Sequence, residues 1–141
     1  MKKLLFIFFA LPLIAADYSF LHYENNYKQA RKRALDNQKL LMLVVVQEHC
    51  NWCQKLASQT LQETLIKQKI KRAFVPLLLN SDHDPIPENY HCISAPAIYF
   101  IDPLDDEEVW RAKGYKDVDA FLLLIDQALQ SHLEDLKDEQ D

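Results

Sequence analysis

Two thiols stand two residues apart in Cys50-Asn51-Trp52-Cys53, close behind the apolar run Leu40 to Val46. Thiols at this spacing serve reversible disulfide exchange, half of a zinc site, or a permanent bridge. The position of the pair favours exchange. A strand-like run precedes it and a helix-like pattern starts with it. A helix N-terminus offers unpaired backbone N–H groups and a partial positive charge. These stabilise a thiolate by about 1–2 kcal/mol in favourable geometry. At about 1.4 kcal/mol per pKa unit, that moves a thiol from about 8.5 towards about 7. Cys50 is therefore the expected nucleophile, attacking a substrate disulfide to form a mixed disulfide. Cys53, one helical turn on and expected to be more buried, then attacks Cys50 and releases the substrate. His49 precedes the nucleophile: as an imidazolium it lowers the Cys50 pKa further, and otherwise it is an exposed loop histidine. Trp52 either offers an exposed apolar contact to an unfolded or peptide-like substrate, or folds its ring back onto the domain.

The elements that must position the pair can be read from periodicity. Asn25 and Asn26 can cap a helix to about Asn37, with Tyr27, Ala30 and Ala34 at helical spacing. Leu40 to Val46 reads as a strand buried on both faces. From Cys50 to about Ile70 the spacing predicts a helix, with Ala57, Leu61, Leu65 and Ile66 on one face. Phe74 to Leu79 is a second buried strand. Asn80 to Asn89, with two prolines and several Asp and Asn residues, is a loop or broken helix. Ala97 to Ile101 is a third strand entered through Pro96, and Val109 to Lys113 a fourth. Asp117 or Asp119 starts a last helix carrying Phe121, Leu122, Ile125 and Leu129. Strands joined by a helix should run parallel, and the last two can form an antiparallel hairpin. The expected fold class is α/β: a small mixed β-sheet flanked by helices on both faces.

The chain of 141 residues opens with Met1-Lys2-Lys3 and an apolar run from Leu4 to Ala16 broken by Pro12. A basic start, a short apolar core and Ala15-Ala16 read as a signal peptide over residues 1–16. An uncleaved anchor is the less favoured reading, since a spanning helix needs roughly 20 apolar residues. Residues 17–133 then form one domain and 134–141 an acidic tail. Losing Lys2 and Lys3 takes the formal charge from −5 to −7, which argues against nucleic acid and anionic membranes. Export, of bacterial appearance, places Cys50, Cys53 and Cys92 in an oxidising periplasm. Three cysteines make an odd count, so one thiol is left over.

These elements and motifs together resemble the thioredoxin superfamily over nearly the whole domain, from about Tyr18 to Leu133. The marks are the Cys50–Cys53 motif at a strand-to-helix junction, Ala95-Pro96 leading into a strand, and Gly114 between the last strand and helix. The opening helix followed by Asn37-Gln38-Lys39-Leu40-Leu41 is similar to a bacterial exported branch. The resemblance implies a redox-active Cys50–Cys53 disulfide and no other cofactor. It implies that Pro96 is cis and lies beside the pair, presenting the Ala95 backbone as a short edge on which an extended substrate can pair. Two departures bear on direction. The intervening pair is Asn51-Trp52 where Gly-Pro is familiar, and Val44 stands where many thioredoxins bury an acid. Glu48 and Lys55 are nearby alternatives for handling the Cys53 proton, or plain surface charges.

A rival constellation of His49, Cys50, Cys53, His91 and Cys92 has ligands that zinc or cuprous copper accept. Cys92, four residues before Pro96, is a third redox thiol, an intermolecular bridge or a buried inert cysteine. The expected function is a monomeric thiol–disulfide oxidoreductase acting on protein substrates. The reductase direction is preferred because the chain leaves no room for an inserted helical domain or a dimerisation module. A reductase needs a donor, expected to be membrane-bound. The alternative function is a metal-binding module, or an adaptor whose disulfide is structural.

Overall fold

The computed structural model describes Ser19, residues 26–91 and residues 93–138. The signal peptide, Cys92 and the last three residues of the acidic tail lie outside the described residues.

Each strand forms where the apolar pattern places it. The β1 strand (Leu40–Val46) is buried at every position, as its unbroken Leu-Leu-Met-Leu-Val-Val-Val run demands. It pairs in parallel with β2 (Phe74–Asn80) and antiparallel with β3 (Ala97–Ile101). The β4 strand (Glu108–Lys113) closes an antiparallel hairpin on β3, and the sheet order is β2-β1-β3-β4. Pro76 sits in β2, an edge strand, where a missing N–H is tolerated. The opposite edge, β4, exposes Trp110 together with Glu108, Arg111 and Lys113, whose charges discourage pairing with another chain.

Alternation along β1 divides the core into two layers. Leu41, Leu43 and Val45 face α1 (Tyr27–Asn37) through Ala30 and Ala34, with Tyr90 and Tyr99 filling the same layer. Met42, Val44 and Val46 face the other helices, α2 (Asn51–Ser58), α3 (Thr64–Ala73) and α4 (Val118–Asp138). These supply Cys53, Leu56, Ile66, Ile70, Phe121, Leu124 and Ile125 to that layer. Full burial of such a side chain stabilises the fold by about 1.5–3 kcal/mol. Helices thus cover both faces of the sheet, and the α/β expectation stands.

The caps explain the helix ends. Asn26 accepts the Gln29 N–H and caps α1. That helix ends with Gln38 in the left-handed region, φ 54°, where the Gln38 and Lys39 N–H groups bond to Leu35 and Ala34. Asp117 accepts the Ala120 N–H at the start of α4.

Two expectations need correction. The helix expected from Cys50 to Ile70 is interrupted: α2 stops at Ser58, a 3₁₀ turn spans Thr60–Gln62, and α3 restarts at Thr64. Glu63 is extended and its carboxylate accepts the Thr64 N–H, capping the new helix. The break turns Leu65 outward to half exposure while keeping Ala57, Leu61 and Ile66 buried. The last helix also runs on through residues 134–138, which the charge pattern assigned to a tail. Among the described residues no helix is long and apolar enough to cross a membrane.

Candidate active site

The turn from β1 into α2 builds the site. His49 adopts φ 53°, and this left-handed step swings the chain so that Cys50 becomes the N-cap of α2. The Cys53 N–H points back at Cys50 Sγ, 3.1 Å away. Cys50 and Cys53 are joined as a disulfide, with Cα atoms 5.2 Å apart. The two sulfurs differ in access. Cys50 lies at the rim of the core, half-buried, whereas Cys53 is only 3% exposed. An incoming group can reach Cys50 and not Cys53, the asymmetry that a nucleophile and a resolving thiol require. On opening, the Cys50 sulfur would sit at a helix N-terminus with an N–H already aimed at it, a setting that favours thiolate.

Across the disulfide lies the loop before β3. The Ala95–Pro96 peptide bond is cis. Cys50 Sγ lies 3.7 Å from the Ala95 carbonyl oxygen, within reach of a thiol S–H. Behind the loop, the Gly114 N–H donates to the Pro96 carbonyl at 2.7 Å. Gly114 has φ +77°, a conformation open to the chain's only glycine and strained for any side chain.

The sequence-predicted residues divide. Cys50, Cys53, Ala95 and Pro96 come together. His49 is exposed beside Cys50. Trp52 is 56% exposed and leans on Tyr115, ring centroids 5.5 Å apart. Lys55 lies over the same rings, its Nζ 4.6 Å from the Tyr115 centroid and 5.3 Å from that of Trp52. Glu48 is directed to His83, which holds the imidazole pKa above its usual value. Val44 is fully buried in the layer that holds Cys53. Apart from tyrosines and Cys53, Thr60 is the sole buried polar or charged residue among those described, so no buried carboxylate lies beneath the pair. Among the described residues no three His, Cys, Asp or Glu side chains converge as a metal site would need. Cys92, which the rival constellation requires, lies outside them.

Periodicity missed Tyr115 and Thr60. Tyr115 directly follows Gly114, which already marked that loop. The Thr60 hydroxyl donates to the Lys116 carbonyl at 2.7 Å, fixing the loop that carries Tyr115. Nothing in the local sequence announces a contact across 56 residues.

Comparison with known proteins agrees with this geometry. A family model described as a thioredoxin-like domain matches residues 27–129. No curated protein matches the chain. A thioredoxin from Thermus thermophilus is similar in structure, with TM-score 0.64 and 24% identity over 73% of this chain and 83% of that one. The oxidised C-terminal domain of Neisseria meningitidis DsbD gives TM-score 0.58 and 20% identity over 72% of this chain and 91% of its own. The periplasmic thioredoxin SoxS from Paracoccus pantotrophus, in reduced form, gives 0.54 and 18% over 67% and 99%. At these identities the structures speak for the fold. The match over residues 27–129 and the cysteine pair at the head of α2 together show that the chain belongs to the thioredoxin-like family of thiol–disulfide oxidoreductases.

Proposed function

We propose that the chain exchanges disulfides with protein substrates in the periplasm and runs in the reductase direction. The observation that carries the exchange chemistry is the unequal access to the bonded pair, with Cys50 reachable at a helix N-terminus and Cys53 buried behind it. In the reduced enzyme the Cys50 thiolate attacks one sulfur of a substrate disulfide. A new S–S bond forms, and the other substrate sulfur leaves as a thiolate. Cys53, having given up its proton, attacks Cys50 Sγ; the Cys50–Cys53 bond forms and the second substrate thiolate leaves. Two electrons pass to the substrate, and the enzyme is left closed, the state in this structure. A donor dithiol reopens it by the same steps in reverse. A membrane-bound protein carrying electrons from the cytoplasm fits that part. On this reading the protein acts as a monomer and exchanges disulfides through the Cys50–Cys53 pair without a further cofactor.

Export rests on the basic start and short apolar run of residues 1–16. It also fits the similarity to SoxS, itself described as periplasmic. The test is the potential of the Cys50–Cys53 pair against glutathione. A value near about −270 mV is expected for a reductase. A value near about −120 mV would reverse the direction, and one well below about −300 mV would make the bridge structural. In the periplasm, Cys53→Ser should accumulate mixed disulfides through Cys50, and Cys50→Ser should accumulate none.

A further inference from the structure

The protein is acidic, with 21 Asp and Glu against 16 Lys and Arg. Three lysines nonetheless stand near its cysteine pair. Lys55 lies on the Trp52 and Tyr115 rings. Lys113 ends β4 opposite Ala97, next to the Ala95–Pro96 loop, and Lys116 follows Tyr115. Among the described residues none of these three lysines pairs with a carboxylate. Several cations elsewhere are tied, Lys32 to Asp36, Lys69 to Asp126, Arg31 to Asp106 and Arg111 to Glu108, whereas Lys28, Lys71, Arg72 and Lys137 resemble the three site lysines in this respect. The carboxylates near this face are largely engaged. Glu48 faces His83, Asp82 accepts the Glu48 N–H, and Asp117 accepts the Ala120 N–H. Asp119 stands exposed in the first turn of α4.

The same face is apolar. Trp52 is half exposed, and Ile93, two residues before Ala95, is 96% exposed. It is also held in place. Thr60 fixes the Lys116 carbonyl, Gly114 fixes the Pro96 carbonyl, and Lys116 Nζ donates to the Lys113 carbonyl at 2.7 Å. A surface ordered before the partner arrives loses less entropy on binding.

We propose that this face selects protein partners whose reactive cysteine lies in a segment that is both apolar and acidic. Lys55, Lys113 and Lys116 meet the carboxylates of that segment, and Trp52 and Ile93 meet its apolar side chains. The proposal rests on the thiol-exchange reading and adds the class of substrate. Unpaired cations at a partly apolar site are screened less than in open water, and they act on both encounter and register.

The experiment uses one apolar peptide with an internal disulfide, made with Glu, Gln or Lys on either side of the attacked cysteine. The reduced protein reduces each, and every rate is divided by that of dithiothreitol on the same peptide, to remove intrinsic reactivity. The normalised kcat/KM for the Glu peptide should exceed that for the Gln peptide about tenfold at low salt, with the Lys peptide slowest. The preference should shrink at about 0.5 M salt, where the screening length falls below about 5 Å. It should also shrink in Lys113→Glu and Lys55→Gln. The wild-type salt dependence decides the matter even if a variant folds poorly. Equal normalised rates for the three peptides, or a preference for Lys, would overturn the proposal and leave thiol exchange standing. Reduction of none of them would sink thiol exchange and the proposal with it.

Discussion

Thr60→Val tests whether the site is held by a single buried hydrogen bond. Thr60 is fully buried, and its hydroxyl spans from the 3₁₀ turn between α2 and α3 to the Lys116 carbonyl. Valine has nearly the same shape, so the change deletes the bond without opening a cavity. A neutral bond contributes about 0.5–1.5 kcal/mol net, and an acceptor left buried and unpaired raises the loss to about 1–3 kcal/mol. We expect about 2 kcal/mol. For a domain of this size, at about 4 °C per kcal/mol, that is a fall of about 8 °C in melting temperature. Urea denaturation with an unchanged m-value would give the free energy directly. The loss should reach function, because the same loop seats Tyr115 under Trp52 and donates from Gly114 to Pro96. Reduction of a peptide disulfide should therefore slow in Thr60→Val. Thr60→Ser keeps the hydroxyl and gives up a methyl, for about 1 kcal/mol. It should be destabilised without slowing. If Thr60→Val matched wild type within about 0.5 kcal/mol, or if both variants slowed equally, the hydrogen bond would not be what holds the loop.

Other perturbations address separate parts of the fold. Gln38 carries a left-handed backbone without being glycine, so Gln38→Gly should stabilise the protein by about 0.5–1 kcal/mol, measured by denaturation. His83 has its pKa raised by the hydrogen bond and charge of Glu48. Its contribution is therefore complete below the unfolded value of about 6.5 and disappears as pH rises through the higher folded value. An NMR titration should place His83 above about 6.5, and Glu48→Gln should return it there. Tyr27 is held far above its ordinary range, first by burial and then by donating its hydroxyl to Asp106. The native state then binds more protons than the unfolded chain above about pH 10, so stability should decline with further alkali. Tyr27→Phe should flatten that decline in a pH series of melting temperatures.

The sheet was legible because its signals are local. Seven consecutive apolar residues in β1 leave no polar face to expose, and Pro96, Asn26 and Asp117 mark boundaries by their own backbone and capping chemistry. The interruption between α2 and α3 was not legible. Residues 51–73 keep helical spacing and contain no glycine or proline, and Gln59 to Glu63 depart from the helix in a turn that places Thr60 against a loop distant in sequence. The acidic end misled for a related reason. Charge reads as solvated tail, yet Leu129, His132 and Leu136 carry α4 on along a cavity of about 460 Å³ shared with Leu35, Leu40 and Leu104. The cysteine pair announced itself, whereas its neighbours Tyr115 and Lys55 are a property of the assembled surface. One lies on a loop and the other on α2, and only the fold stacks them.

Val44 is apolar and fully buried in the layer around Cys53, where no buried carboxylate lies among the described residues. Closing or opening the disulfide then moves two electrons and two protons with no internal group to share the change. While both thiols stay protonated, the equilibrium shifts a hundredfold per pH unit. At about 29.6 mV per tenfold for a two-electron couple, the midpoint should slope by about 59 mV per pH unit. Ionisation of the thiols then bends that line. An acid in the core would add an inflection of its own, so a plot of potential against pH reads out, from solution, what lies beneath the cysteines.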